Sequence, residues 1–308
     1  IESDPTRAEH YYMRGHALLG SHKLDLAFRD FSHAVNLDAR DPLAYIHRGH
    51  AYSTAKLHSL AIQDLESALA YDNKNPLTHF LKATAYRETG DPNSAILSLG
   101  NVIKLNPLDA IAYHTRGALY TDTGQSNLAL KDFDRSIHLD QQDVSGYLKR
   151  AAAFTKLGQP TQAISDFDKV INMNQERLGV QNLRSNKLHT EALEGRGVAF
   201  IAIGEFAHAI QDFDRAMELT RTDHDSTLNR RGETYFELED YEKAAQDFGS
   251  VIARHARYTF LQKVGRSFVE KGQLLRALKN FYEAASYSSD LKLGYENRSR
   301  AYSFMNLP

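Results

Sequence analysis

The tripeptide Arg-Gly-His stands at residues 14–16 and returns at residues 48–50. Histidine titrates near neutrality, so paired imidazoles can move a proton or ligate a transition metal. His47 and His50, three residues apart, would share one helical face. A metal site also needs a third ligand and a supporting shell of hydrogen bonds, and the sequence identifies neither. No metal is therefore expected, and a polar, pH-sensitive surface takes its place. Arginine raises a different chemistry, the recognition of carboxylates. Paired acids, which can serve general acid–base catalysis, occur as Asp132-Phe133-Asp134, Asp166-Phe167-Asp168 and Asp212-Phe213-Asp214. The chain has no cysteine, which removes thiolate nucleophiles, thiolate metal sites and disulfides together. It has no glycine-rich phosphate loop, nucleophile elbow or metalloprotease helix motif either. No catalytic residue and no cofactor is expected.

Composition narrows the class further. Lys and Arg number 37 against 39 Asp and Glu, with no polybasic run, so neither nucleic acid nor an anionic membrane is an expected partner. No stretch approaches the roughly 20 apolar residues needed to span a bilayer. A cytoplasmic location, with a protein or peptide as partner, is the expectation.

The elements that must position these residues are set by a period. Small residues at Gly15, Gly49, Ala83, Gly117, Ala151, Gly197, Gly232 and Gly265 recur at intervals of 34, 34, 34, 34, 46, 35 and 33. Taken as position 8 of a unit, they define repeats 8–41, 42–75, 76–109, 110–143, 144–177, 190–223, 225–258 and 258–291. Position 11 is aromatic in all but the first unit, on the same face as position 8 of a helix A. Position 20 is alanine in all eight, and position 24 is Phe31, Leu65, Leu99, Phe133, Phe167, Phe213, Phe248 and Phe281, which marks a helix B. Glycines 90, 124, 158, 204 and 272 fall between the two helices, and Asp41-Pro42 and Asn75-Pro76 start a helix with a cap before proline.

This pattern resembles the tetratricopeptide repeat, a helix hairpin of 34 residues. The resemblance covers nearly the whole chain and implies an all-α fold, a right-handed α-solenoid of antiparallel helix pairs. It departs from the family at position 32, where proline is kept only at Pro107, and at position 4, where His79, Leu193, Leu228 and Leu261 replace an aromatic residue. Residues 1–7 read as the remnant of an upstream repeat, 8–177 as repeats one to five, 178–189 as an insertion, and 190–291 as repeats six to eight. Residues 292–308 read as a truncated ninth repeat or capping helix, so the chain is expected to be a segment of a longer array. The insertion either forms a binding edge or extends helix B of the fifth repeat.

The arginine has a structural explanation. Arg14, Arg48, Arg116, Arg150, Arg196 and Arg231 occupy position 7, and Asp30, Asp64, Asp132, Asp166, Asp212 and Asp247 occupy position 23 of the same six units. The other two units lose both members. In a hairpin the two positions lie near one level, so a repeated arginine–aspartate ladder is expected. The acidic pairs then read as ladder and solvated face, and not as catalytic dyads.

Function rests on what the resemblance implies. In that family, positions 2, 5, 6, 9, 12 and 13 of helix A line a concave groove. Here the early repeats would supply Tyr12, His16, Ile46, His47, His50, Phe80 and Arg87, with His10, His79 and His114 on the same series. The late repeats would supply Glu191, Glu194, Asn229, Glu233, Glu237 and Glu270, relieved by Arg230, Lys263 and Arg266. A partner apolar at one end and basic at the other would suit such a groove, although a solvated acidic face would look the same. Family members that clamp the C-terminal carboxylate of chaperones use a set of Lys, Asn and Arg that no three consecutive repeats supply here. The chain is thus expected to be a non-catalytic interaction scaffold. Alternatives are an architectural part of a large cytoskeletal or ciliary assembly, which is family analogy alone, and a self-associating array.

Overall fold

The second, third and fourth hairpins start with a side-chain cap. Asp41 Oδ1 accepts from the Leu43 amide at 2.9 Å, Asn75 Oδ1 from Leu77 at 3.0 Å, and Asp109 Oδ1 from Ala112 at 2.9 Å. Proline follows two of these caps at the first helical position, where its missing N–H costs no hydrogen bond. Each hairpin then reverses through position 15, which has positive φ in every unit. Glycine supplies it at φ +68° to +81° in five units, and His22, Lys56 and Glu239 adopt φ +57°, +61° and +58° in the other three.

The computed structural model describes residues 7–178, 187–219, 224–252 and 257–281, except 275 and 278. Residues 1–6 of the expected upstream remnant, 179–186 of the insertion and the expected ninth unit lie outside them. The chain divides into two compact units, Ile1–Gly146 and Tyr147–Pro308. In the first, α1 (Ala8–Gly20), α3 (Pro42–Thr54), α5 (Pro76–Glu88) and α7 (Ala110–Asp122) are helices A. Their partners are α2 (Leu24–Leu37), α4 (His58–Tyr71), α6 (Pro92–Leu105) and α8 (Ser126–Leu139). Then come α9 (Val144–Lys156), within which the division falls, α10 (Pro160–Leu178), α11 (Lys187–Ala202), α12 (Phe206–Leu219), α13 (Asp225–Glu237), α14 (Tyr241–Ile252) and α15 (Arg257–Glu270). The fold is all-α, with antiparallel pairs stacked within each unit so that a helix B also packs on the next helix A, as α2 does on α3, α4 on α5, α6 on α7, α10 on α11, α12 on α13 and α14 on α15. Part of the insertion is helical: α10 has 19 residues and α11 has 16, where their counterparts α8 and α7 have 14 and 13.

The core repeats with the sequence. The position-20 alanines, Ala27 to Ala277, are all 0% exposed, because helix A crosses too close for a larger side chain. Position 24 fills the space opposite position 8. A Cβ on Gly117 would come within 2.9 Å of the Phe133 ring, and one on Gly197 within 2.7 Å of Phe213. In the third repeat Ala83 at position 8 goes with the smaller Leu99 at position 24, whereas Gly49 faces Leu65 in the second. In the fifth repeat Ala151 faces Phe167, and that ring fills the place a Cβ on Gly195 of α11 would take.

Candidate functional site

The arginine ladder is the most regular polar feature of both units. In all six pairs the guanidinium is bidentate, with Nε and Nη2 donating to the two carboxylate oxygens. Arg14–Asp30 spans 2.6 and 2.6 Å, Arg48–Asp64 2.7 and 2.7 Å, and Arg116–Asp132 2.7 and 2.7 Å. In the second unit Arg150–Asp166 spans 2.7 and 2.7 Å, Arg196–Asp212 2.8 and 2.6 Å, and Arg231–Asp247 2.8 and 2.6 Å. All six aspartates are buried. Rings at positions 4 and 11 flank Arg48, Arg116 and Arg150, as Tyr113 and Tyr120 do at 5.8 Å each around Arg116, and one ring stands beside each of the others.

Sequence reasoning missed a second set of rungs, which join consecutive repeats. Asp168 Oδ1 accepts from Arg196 Nη1 at 2.5 Å, and Asp214 accepts likewise from Arg231. These second acids of the Asp-Phe-Asp triplets are therefore more than a solvated face: half exposed, each ties helix B to the arginine of the next helix A. Burial opposes the charge on Arg196, but hydrogen bonds to Asp212 and Asp168 outweigh it and raise its pKa. Glu66 does the same for Lys82 at 2.9 Å, and Ser32 stands 3.4 Å from Arg48. The sequence carries only part of this signal: an acid precedes the cation at Glu66, Asp134, Asp168 and Asp214, and Gly249 precedes Val264, but Ser32 precedes Arg48 and Gly100 precedes Arg116.

Gly100 is the rung without a side chain. A Cβ there would lie 3.8 Å from Arg116 Nη1, which is ordinary contact. Gly100→Asp should raise stability by ~0.5–1 kcal/mol, from a better helix former and a partly exposed ion pair. Urea denaturation beside Gly100→Asn separates the two contributions, and a loss of stability in the aspartate variant would refute the rung.

The helix A faces carry the proposed groove residues. In the first unit α1 and α3 bring His16, His47 and His50 together. His16 Nε2 and His47 Nδ1 share a hydrogen bond of 2.7 Å, and the His16 and His50 rings are 6.2 Å apart. Tyr12 stacks on His47 at 4.5 Å. Burial, with the neighbouring imidazoles His16 and His50, pushes the His47 pKa down to about 4, and burial with His50 lowers that of His16. Among the described residues no group of three His, Asp or Glu side chains is arranged to hold a metal.

The other early residues do not gather there. His79 is buried and bonds the Asn73 carbonyl at 3.2 Å, because position 4 faces the hairpin core. His114 pairs with Asp143 at 3.1 Å, and Ile46 is only 4% exposed. His79 and His114 thus stand apart from the three histidines that meet across α1 and α3.

A folded pKa below the ordinary 6.5 means that the unfolded chain takes up the proton first as pH falls. The stability contributed by neutral His47 is thus present above about pH 6.5 and lost as pH falls toward about 4. Thermal unfolding of the first unit should come earlier at about pH 5 than at about pH 7, and His47→Gln should flatten that dependence. An unchanged pH profile in the variant would dismiss the half-buried pair as its source.

In the second unit the acids are largely engaged. Glu194 accepts from the Thr227 hydroxyl. Lys263 Nζ donates to Asn229 Oδ1 and to Glu233 Oε1, each at 2.6 Å, and lies 5.3 Å over the Phe248 ring. Glu191 faces Lys187 at 3.6 Å. Glu237 and Arg266 remain exposed at the rim of a cleft that Phe236 and Phe248 floor. Glu270 is exposed as well, and with Glu239 and Glu237 it adds to desolvation in raising the Tyr241 pKa. The surface is thus mixed in charge, since Lys263 compensates the acid most central to it.

Family models described as tetratricopeptide repeat match residues 43–75, 80–144 and 148–224, together more than half of the chain. No curated protein matches it. Among solved structures, a tetratricopeptide repeat protein from Parabacteroides merdae is similar with a TM-score of 0.58 at 19% identity, over 85% of this chain and 98% of that one. YrrB, described as having an unusual peptide-binding site, gives 0.52 at 20% identity, over 62% of this chain and 94% of its own. MamA gives 0.53 at 20%, over 56% and 95%.

Proposed function

Because the chain belongs to the tetratricopeptide repeat family, we propose that it is a non-catalytic scaffold whose helix A faces take a peptide or helix of a partner protein. One observation carries this reading. Leu43, Leu77 and Ile111, at position 2 of three consecutive repeats, are 45%, 56% and 66% exposed, a periodic apolar series at the start of helices A. Apolar side chains left in water at one repeated position mark a contact surface more than they serve the fold. The histidine cluster in the same unit and the Phe236 cleft of the second unit add polar and aromatic anchors, the mixture that interfaces use. Absence of cysteine agrees with a non-catalytic role. No described helix is long and apolar enough to cross a membrane.

The test is affinity capture with the whole chain beside two variants, Leu77→Ser with Ile111→Ser, and Glu237→Arg with Arg266→Glu. A partner retained by the parent and lost from one variant supports the reading and says which unit holds it. Identical captures by all three chains would reject the helix A faces as the binding surface.

A further inference from the structure

Where two repeats stack within a unit, position 25 of one comes to position 7 of the next. Glu66 takes Lys82, Asp168 takes Arg196 and Asp214 takes Arg231, while Ser32 stands beside Arg48. Between the seventh and eighth repeats Gly249 precedes Val264, and both members are missing. The junction of the third and fourth repeats alone keeps the cation and has no side chain to meet it, because Gly100 precedes Arg116. Asp132 takes Nε and Nη2 of Arg116, and Nη1 has no hydrogen-bond partner among the described residues. The helix that would supply one is in place, since α6 packs on α7 as α4 does on α5. The gap is therefore made by the residue type and not by a missing neighbour.

The notch is open. Gly100 is half-buried, and a Cβ placed on it would meet Arg116 Nη1 at 3.8 Å and no other atom of a neighbouring helix within 4 Å. The surface around it is apolar and basic. On α6, Leu97 is 68% exposed three residues before Gly100, and Lys104 is exposed four residues after it. Residues at these spacings share a helical face. There is no acid in α6, and the only one in α7 is Asp122, its last residue. On α8, Arg135 lies 6.0 Å from the centre of the Tyr113 ring, which also stands 5.8 Å from Arg116, and Lys131 is exposed one turn earlier. Of the two acids of α8, Asp132 has both oxygens bonded to Arg116, and Asp134 occupies position 25, toward the following repeat. The groove between α6 and α8, floored by α7, thus gathers Lys104, Arg116, Lys131 and Arg135 around one satisfied carboxylate. Such a charge distribution favours an anionic partner.

We propose that this groove is a docking site for an acidic segment of a partner protein, which lays a glutamate over Gly100 onto Arg116 Nη1 and an aliphatic side chain against Leu97. The carboxylate takes the place at Arg116 that Asp168 takes at Arg196. Lys104 and Lys131 receive further acids of the segment, and Leu97 leaves water. The site lies between helices B, apart from the helix A series of the proposed function, and does not depend on that reading.

The probe is a displayed library of random peptides of about twelve residues, selected on the whole chain and screened against Gly100→Asp. That variant places a carboxylate in the notch and is expected to be at least as stable as the parent, so lost binding does not report unfolding. Peptides are expected that bind the parent and lose about tenfold in affinity for Gly100→Asp. They should carry a glutamate or aspartate with Leu, Ile or Val within about four residues, and replacing the glutamate by glutamine should weaken them by a similar factor. Gly249→Asp makes the same change where no cation follows, and should leave their affinity unchanged. A selection without any peptide that distinguishes Gly100→Asp from the parent would overturn the proposal. So would distinguishing peptides that lack a carboxylate, or an equal loss with Gly249→Asp.

Discussion

Asp132→Ala is expected to destabilise the first unit by about 3 kcal/mol, the lower end of the cost of stripping one partner from a buried ion pair. Asp132 is 5% exposed and accepts both Arg116 bonds. Arg116 keeps 21% of its side chain in water, which softens the loss. What makes the position costly is the missing second acid. Gly100 stands where Arg196 finds Asp168, so the guanidinium would be left with Tyr113 and Tyr120 and no carboxylate. Asp212→Ala, made at the same place in the sixth repeat, leaves Asp168 on Arg196 and should cost at least ~1 kcal/mol less. Urea denaturation of the two variants, followed by helicity, checks the order. Equal losses would mean that the rung between repeats contributes nothing, and a parental midpoint for Asp132→Ala would mean that the ladder is not buried in solution.

That comparison also shows how far the sequence could be read. The hairpin was legible because its marks recur: Ala27 and its seven counterparts at position 20, and Phe or Leu at position 24, fix which face of each helix is inside. The pair Arg116–Asp132 was legible because both members vanish together, at Lys82 with Ser98 and at Val264 with Asn280. The rung from Asp168 to Arg196 was not, because comparing positions within one repeat hides a contact between two repeats. Shifting the comparison by one unit, from position 25 to the next position 7, brings acid and cation together at Glu66, Asp134, Asp168 and Asp214 but not at Ser32 or Gly100. The histidines were harder for a different reason. His79 and His47 lie on the same helix A series, yet position 4 faces the core and position 6 the surface, so neighbours in type become strangers in environment. Engagement of Glu233 by Lys263 depends on two long side chains meeting across helices, which no period records.

Phe133→Ala should cost about 3–5 kcal/mol, more than Asp132→Ala, because the ring is 0% exposed and Gly117 opposite it has no side chain to move into the space. The converse change is costly too. Gly117→Ala places a Cβ 2.9 Å from the ring, and about 1–3 kcal/mol of overpacking exceeds the ~1 kcal/mol that alanine gains over glycine in a helix. The chain itself contains the repair. Ala83 and Leu99 make the same pair one repeat earlier, buried at 3% and 0%. The double variant Gly117→Ala with Phe133→Leu rebuilds that pair in the fourth repeat, and its midpoint should lie closer to the parent than the two single losses added together. A coupling of about 1–2 kcal/mol in its favour is the expected size for residues in contact. Additive losses would mean that Gly117 and Phe133 do not trade volume.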